Sequence, residues 1–147
     1  MRAKSIFVFF CLVAIIAFIL SRREEEIQNY KLLTAREMLE THFKFKTEGK
    51  ENFLGLTVHE SRRNTIWELK NIRHLNIISI EEMGYEFAQE YIATNDFHEM
   101  DSFIVEYEIK FWITKQQNNG TYEMCYVLIK ESENSPWLVY TWGVNLR

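Results

Sequence analysis

Two cysteines, one proline and five glycines are all this chain of 147 residues contains of the residues that staple, kink or loosen a fold. Cys11 lies inside an apolar leader and Cys125 near the other end, so a disulfide framework is excluded and stability must come from a packed core. So little proline and glycine excludes a Pro/Gly-rich linker, a collagen-like repeat and a low-complexity tract. No internal repeat of solenoid period is present. Basic residues are also in short supply. Of 17 Lys and Arg, Arg2 and Lys4 fall in the leader, and the rest face 21 Asp and Glu. The basic cluster Arg62, Arg63, Lys70 and Arg73 is interleaved with Glu60 and Glu68. Such a body repels phosphate, and no nucleic acid is expected as a partner.

Catalytic and cofactor signatures are missing too. There is no G-x-S-x-G and no glycine-rich phosphate loop. "HEMD" lacks the second helical histidine of a zinc protease. Asp96, His98, Glu99 and Asp101 in "NDFHEMD" match no metal-loop spacing. No cofactor and no metal is expected. Asn119-Gly120-Thr121 is formally a glycosylation acceptor, but a hairpin turn explains it better.

Apolar and aromatic residues are plentiful, at 47% and 15%. Ile6 to Leu20 is an unbroken apolar run behind Arg2 and Lys4. At 1.5 Å per residue it reaches about 22 Å, short of the ~30 Å hydrocarbon core. Snorkelling arginines and the flanking serines bring it to the low end of a spanning helix. Ser21-Arg22-Arg23 is no small-x-small cleavage pattern. Residues 1–21 therefore read as an uncleaved, single-pass membrane anchor with the domain on the extracytoplasmic side; the alternative is secretion after signal cleavage. Residues 22–33 read as a charged stalk and 34–147 as one folded domain.

Within that domain, "TAREMLETHFKFKTEG" carries a capping box at Thr34 and Glu37 and a stop at Gly49. Met38, Leu39, His42, Phe43 and Phe45 form its apolar stripe. A shorter helix follows, with Phe53, Leu54, Leu56 and Val58 as its buried side. Ile72 to Glu81 reads as a strand, its two faces divided by strict parity. "YEFAQEYIATN" stays open between a short helix and an irregular strand. From Phe103 to Ile113 the alternation is clearest: Phe103, Val105, Tyr107, Ile109, Phe111 and Ile113 dry; Glu106, Glu108 and Lys110 wet. Asn119-Gly120 suits a type I′ turn into the strand "TYEMCYVLIKE". Pro136 opens the last strand, where Trp137, Val139 and Thr141 share one parity and Leu138, Tyr140 and Trp142 the other. The fold class is α+β, with the N-terminal helices segregated to one face of a curved antiparallel sheet.

The stretches "EYEIKFWI" and "YVLIKESENSPWLVYTWGVN", with their L-I-K-E, short polar turn and P-W-x-V-x-x-x-G ending, resemble the bacterial family catalogued as domain of unknown function 4829, over about residues 34 to 145. That resemblance implies a cone-shaped, cystatin-like α+β fold similar to nuclear transport factor two. It implies no agreed activity.

Two functions compete. The first is a non-catalytic, membrane-tethered or secreted binding or interaction domain. Its ligand or partner surface would use Trp67, Tyr107, Trp112, Tyr126 and Trp142. Trp112 falls on the charged face of its strand, which suggests a homodimer or partner contact across the open sheet. The second is a small isomerase- or dehydratase-type enzyme with His42 or His74 as base in the cone. Tyr85 and Tyr140 complete the aromatic set; His59 is the remaining histidine candidate.

Overall fold

Thr34 sets the start of the domain's first helix, α1 (Ala35–Glu48). In the computed structural model, which describes residues 11–18, 29–65, 71–91, 97–114 and 118–144, the Thr34 hydroxyl accepts from the Glu37 amide, and the Glu37 carboxylate accepts from the Thr34 amide at 2.8 Å. Both halves of the capping box are made, so two otherwise orphaned donors are satisfied. Gly49 takes the left-handed conformation at φ 65 that closes the other end. There Gly49 and Lys50 donate back to Lys46 and Phe45. Met38, Leu39, His42, Phe43 and Phe45 are all buried, as the stripe predicts.

The chain divides into two compact units, Met1–Leu32 and Leu33–Arg147. In the first, residues 11–18 are helical, with Leu12, Val13, Ile15, Ile16 and Phe18 exposed. Residues 1–10 and 19–28 of the proposed anchor and stalk lie outside the described residues. Among the described residues, no helix is long and apolar enough to cross a membrane.

In the second unit, α2 (Glu51–Thr57) turns back beside α1. Leu54 and Val58 are buried, while Phe53 and Leu56 are half-buried. A 3-10 turn follows at Glu60–Thr65. Four strands, β1 (Ile72–Glu82), β2 (Glu99–Phe111), β3 (Gly120–Lys130) and β4 (Trp137–Val144), form one antiparallel sheet in the order β1-β2-β3-β4. "YEFAQEY" is settled as a helix, α3 (Gly84–Tyr91).

Two strands depart from strict parity. In β1, Ile77 faces Tyr107 but Ser79 faces Glu106, so Ile78 is an extra residue and lies exposed. Leu75 and Ile77 point inward before this bulge and Ile80 after it, since a single inserted residue moves every later side chain to the opposite face. In β4 the pairs Val127–Thr141 and Leu128–Val139 leave Tyr140 as the extra residue. Val139 and Trp142, expected on opposite faces, therefore share one.

The helices are not segregated to one face. α1 packs on the inner face, where Phe43 meets Tyr107 and Tyr126 at ring-centroid distances of 5.5 and 5.2 Å. α3 covers part of the outer face, where buried Ala88 packs with Met100, Cys125, Val127 and Ile129 against half-buried Phe87, Phe97 and Tyr140. The expected wet face of β2 is thus wet only toward its end; Ser102 and Ile104 are buried beside this layer. Nor does a two-residue turn join β2 to β3. Gly120 already pairs with Ile109, no non-glycine residue among those described has positive φ, and Asn119 uses its side-chain oxygen to accept from the Phe111 amide at 2.8 Å. β2 ends at Phe111, leaving Ile113 exposed beyond it.

A sheet buried on both faces at β3 makes a definite prediction. Ile129→Ala should cost about 3 kcal/mol, because it opens a cavity in the outer layer. Ile78→Ala, at the exposed bulge, should cost under about 0.5 kcal/mol. Urea denaturation of both variants checks this, and comparable losses would contradict the faces assigned here.

Candidate functional site

Tyr107 on β2, Tyr126 on β3 and Trp142 on β4 lie in one layer under α1. Tyr126 is fully buried. Its ring meets Phe43 edge-on and runs nearly parallel to Trp142, at 6.4 Å and 17°. Cross-strand pairing sets this: Tyr126 faces Trp142 directly, and facing aromatic residues interact across antiparallel strands. Tyr107 touches Phe43 on one side and stacks on Tyr122 on the other, at 6.1 Å and 26°.

His42 enters this layer from α1. Its ring lies 5.8 Å from Phe43, 6.2 Å from Tyr126 and 6.4 Å from Trp142. Its Nδ1 sits 2.9 Å from the Thr57 hydroxyl. Thr57, the last residue of α2, donates its one hydroxyl proton to the Leu54 carbonyl at 2.8 Å, one of the carbonyls a helix end leaves unpaired. The hydroxyl can then only accept from His42, which fixes the proton on Nδ1. Nε2 is left as a bare acceptor, buried and with no hydrogen-bond partner. Burial first, and the charge of Lys46 second, hold the imidazole well below its ordinary value of 6.5.

Lys46 follows one turn after His42. Its Nζ stands 5.3 Å from the Phe43 ring centre, 5.8 Å from Tyr126 and 5.9 Å from Trp142. It also lies 3.5 Å from the Tyr126 hydroxyl, the outer limit of a hydrogen bond. Loss of solvation among these rings lowers the ammonium to about 8. Burial pushes the Tyr126 phenol well up, with the neighbouring Tyr107 adding to the effect. Tyr107 in turn donates to the Met124 sulfur at 3.2 Å. An amine, a bare imidazole nitrogen and two linked phenols thus share one aromatic-walled cluster. No carboxylate pairs with Lys46 among the described residues.

Of the five residues singled out in the sequence, the structure brings together Tyr107, Tyr126 and Trp142. Trp112 stands apart, 66% exposed just past the end of β2. Its amide donates to the Asn71 carbonyl at 2.8 Å and its ring carries the Arg73 guanidinium at 5.1 Å. Trp67 and Asp96 lie outside the described residues. His74 is exposed on β1. His59 is held elsewhere, with Nδ1 2.8 Å from the Ser61 hydroxyl, Nε2 3.3 Å from Glu131 and the ring against Tyr140. His98 is exposed, its Nε2 3.7 Å from Glu99. Asp101 is half-buried, and that burial raises its carboxyl, the charge of Glu82 adding to it. Cys125 is fully buried, its thiol pushed up to about 11 by desolvation; a thiol so placed is unreactive. Lys46 and Thr57 were not read from sequence. The available signal was Lys46 falling three and four residues after Phe43 and His42, on the stripe itself.

Residues 36–143 match the family described as "Domain of unknown function (DUF4829)", more than half of the chain, and the chain belongs to that family. No curated protein matches it, and no solved structure matches it.

The lowered basicity of His42 fixes the sign of a pH effect. Above the unfolded value of 6.5 the imidazole is neutral in both states. Below it the unfolded chain takes up a proton that the folded chain refuses, so stability falls as pH drops toward the depressed folded value. Urea midpoints at about pH 7 and about pH 5 should differ more for the native sequence than for His42→Gln, which removes this titration. An equal pH dependence in both proteins would mean that His42 is not held neutral.

Proposed function

We propose that residues 33–147 form a non-catalytic binding module whose ligand site is the Lys46–His42 cluster walled by Phe43, Tyr126 and Trp142. The observation that carries this reading is an amine set among three aromatic rings with no carboxylate beside it among the described residues. A small anion would restore the favourable partner that burial has removed, and flat rings favour a flat ligand. The bare Nε2 supplies the matching acceptor for a donor on the same molecule. A flat carboxylate with a hydrogen-bond donor fits all three features.

The apolar leader supports a tether holding this module at the extracytoplasmic face of a membrane, or its secretion after cleavage. The bulges that bend β1 and β4, and α1 laid across the inner face, support the cone shape related to nuclear transport factor two. Self-association is a separate proposal. It would use Trp112 and the part of the outer face that α3 leaves uncovered.

A second reading, an isomerase- or dehydratase-type enzyme, is favoured by one observation: the unpartnered Nε2 of His42 near a phenol. Its weakness is equally physical, since an imidazole held so far below its ordinary value is a poor proton acceptor.

The test is ligand-observed and protein-observed NMR on the full chain in detergent micelles, titrated with a set of small aromatic carboxylates. Binders should shift the Trp142 indole signal, and Lys46→Met should weaken them about tenfold or more, as expected for loss of a buried charged contact. Shifts scattered over the surface, or unchanged by Lys46→Met, would contradict the assignment.

A further inference from the structure

Lys46 differs from three other lysines of the domain in what surrounds its nitrogen. Lys50, Lys110 and Lys130 each hold a carboxylate, at 2.7 Å on Glu48, 3.0 Å on Glu108 and 3.1 Å on Glu99. Lys46 instead has three ring faces within 6 Å and a phenol oxygen at 3.5 Å. The residue as a whole is half-buried. With the ammonium at about 8, about one molecule in ten carries the free amine at pH 7, against roughly one in a few thousand for an ordinary lysine. An uncharged, desolvated amine beside a proton donor is the arrangement that attacks carbonyl carbon.

We propose that Lys46 captures a small aldehyde or ketone as a reversible imine. The lone pair of Nζ bonds to the carbonyl carbon, and the carbonyl π pair moves to oxygen, which takes a proton. Nitrogen then loses a proton, the hydroxyl takes up a second proton and leaves as water, and nitrogen gives up its remaining proton, leaving a neutral carbon–nitrogen double bond. One water is released and nothing is oxidised or reduced. Water supplies the proton that the carbonyl oxygen takes, and the Tyr126 hydroxyl lies 3.5 Å from Nζ beside the reacting centre. The titratable groups facing the amine are His42 from α1, Tyr126 from β3 and, behind it, Tyr107 from β2; the β4 neighbour, Trp142, does not titrate. None of the three carries a negative charge near neutral pH, so the ammonium is held only by cation–π contact with the rings of Phe43, Tyr126 and Trp142. Trp142, which is half-buried, offers a stacking surface to a conjugated carbonyl compound.

This inference rests on the same cluster being a ligand site, and the experiment separates the two. The full chain in micelles is incubated with 4-formylbenzoate and cyanoborohydride, which reduces any imine to a stable amine, and labelled lysines are mapped by peptide mass. Lys46 should be labelled at least about tenfold faster than Lys50, Lys110 and Lys130, and the preference should vanish in urea. Lys46→Arg keeps the positive charge and should remove only that label. Labelling of Lys46 at or below the rate of the other three overturns the proposal. In parallel, 4-(hydroxymethyl)benzoate, which has no carbonyl, reports binding alone through the Trp142 signal. Binding without selective labelling leaves the ligand site standing and defeats imine capture; absence of both defeats both.

Discussion

One hydroxyl proton governs the centre of this domain. Thr57 has a single proton to give, and the carbonyl of Leu54 at the end of α2 takes it. His42 must then donate from Nδ1, and its other nitrogen is left bare among aromatic rings. The pair also joins α1 to α2 through a buried contact. A buried hydrogen bond of this kind contributes about 1 kcal/mol net, and orphaning either partner costs about 1–3 kcal/mol. The domain thus accepts one unpaired acceptor at Nε2, a cost a purely structural layer would avoid with leucine. That unpaired atom, next to a lysine whose charge is poorly solvated, is the feature on which the proposed ligand site rests.

Strand irregularities decide which rings reach it. Without the extra residue at Tyr140, Val139 and Trp142 would stand on opposite faces of β4. The bulge returns Trp142 to the inner face, beside Tyr126, and sends Tyr140 out against Phe97 and His59. The aromatic end of the chain therefore serves both layers: one ring closes the cluster under α1, another seals the layer under α3. The backbone of Val58 and His59 meets β4 at Val139, so the segment following α2 is tied to the same strand.

The parts of this architecture set by local chemistry were legible in the sequence. The capping box at Thr34, the left-handed stop at Gly49, the buried stripe of α1 and the alternation of β2 each depend on residues a few positions apart. Bulges were not legible, because a period-two pattern looks unbroken whether or not one residue has slipped out of register. The cover over the outer face was hidden for a related reason: "SFIVEYEIKFW" presents glutamates at alternate positions, yet the burial of Ser102 and Ile104 depends on a helix formed some fifteen to twenty residues earlier. Asn119-Gly120 offered a tight turn, but β2 ends at Phe111, Gly120 already pairs in β3 with Ile109, and the Asn119 side chain is taken by the Phe111 amide. In the site, Tyr107, Tyr126 and Trp142 were readable as a set of aromatic residues. Lys46 was not, since a charged residue on an apolar stripe reads as a boundary position until its neighbours are known. Thr57 was invisible because its importance lies in where its proton goes.

Membership of a family of unknown function leaves the chemistry to be read from the residues themselves. The central claim is that His42 is a neutral imidazole protonated on Nδ1, with Nε2 a buried, unpartnered acceptor. Nitrogen-15 NMR of the selectively labelled histidine ring measures this directly. The structure predicts a pyrrole-type signal for Nδ1 and a pyridine-type signal for Nε2 at neutral pH. A proton found on Nε2, or two equivalent signals of an imidazolium, would contradict it.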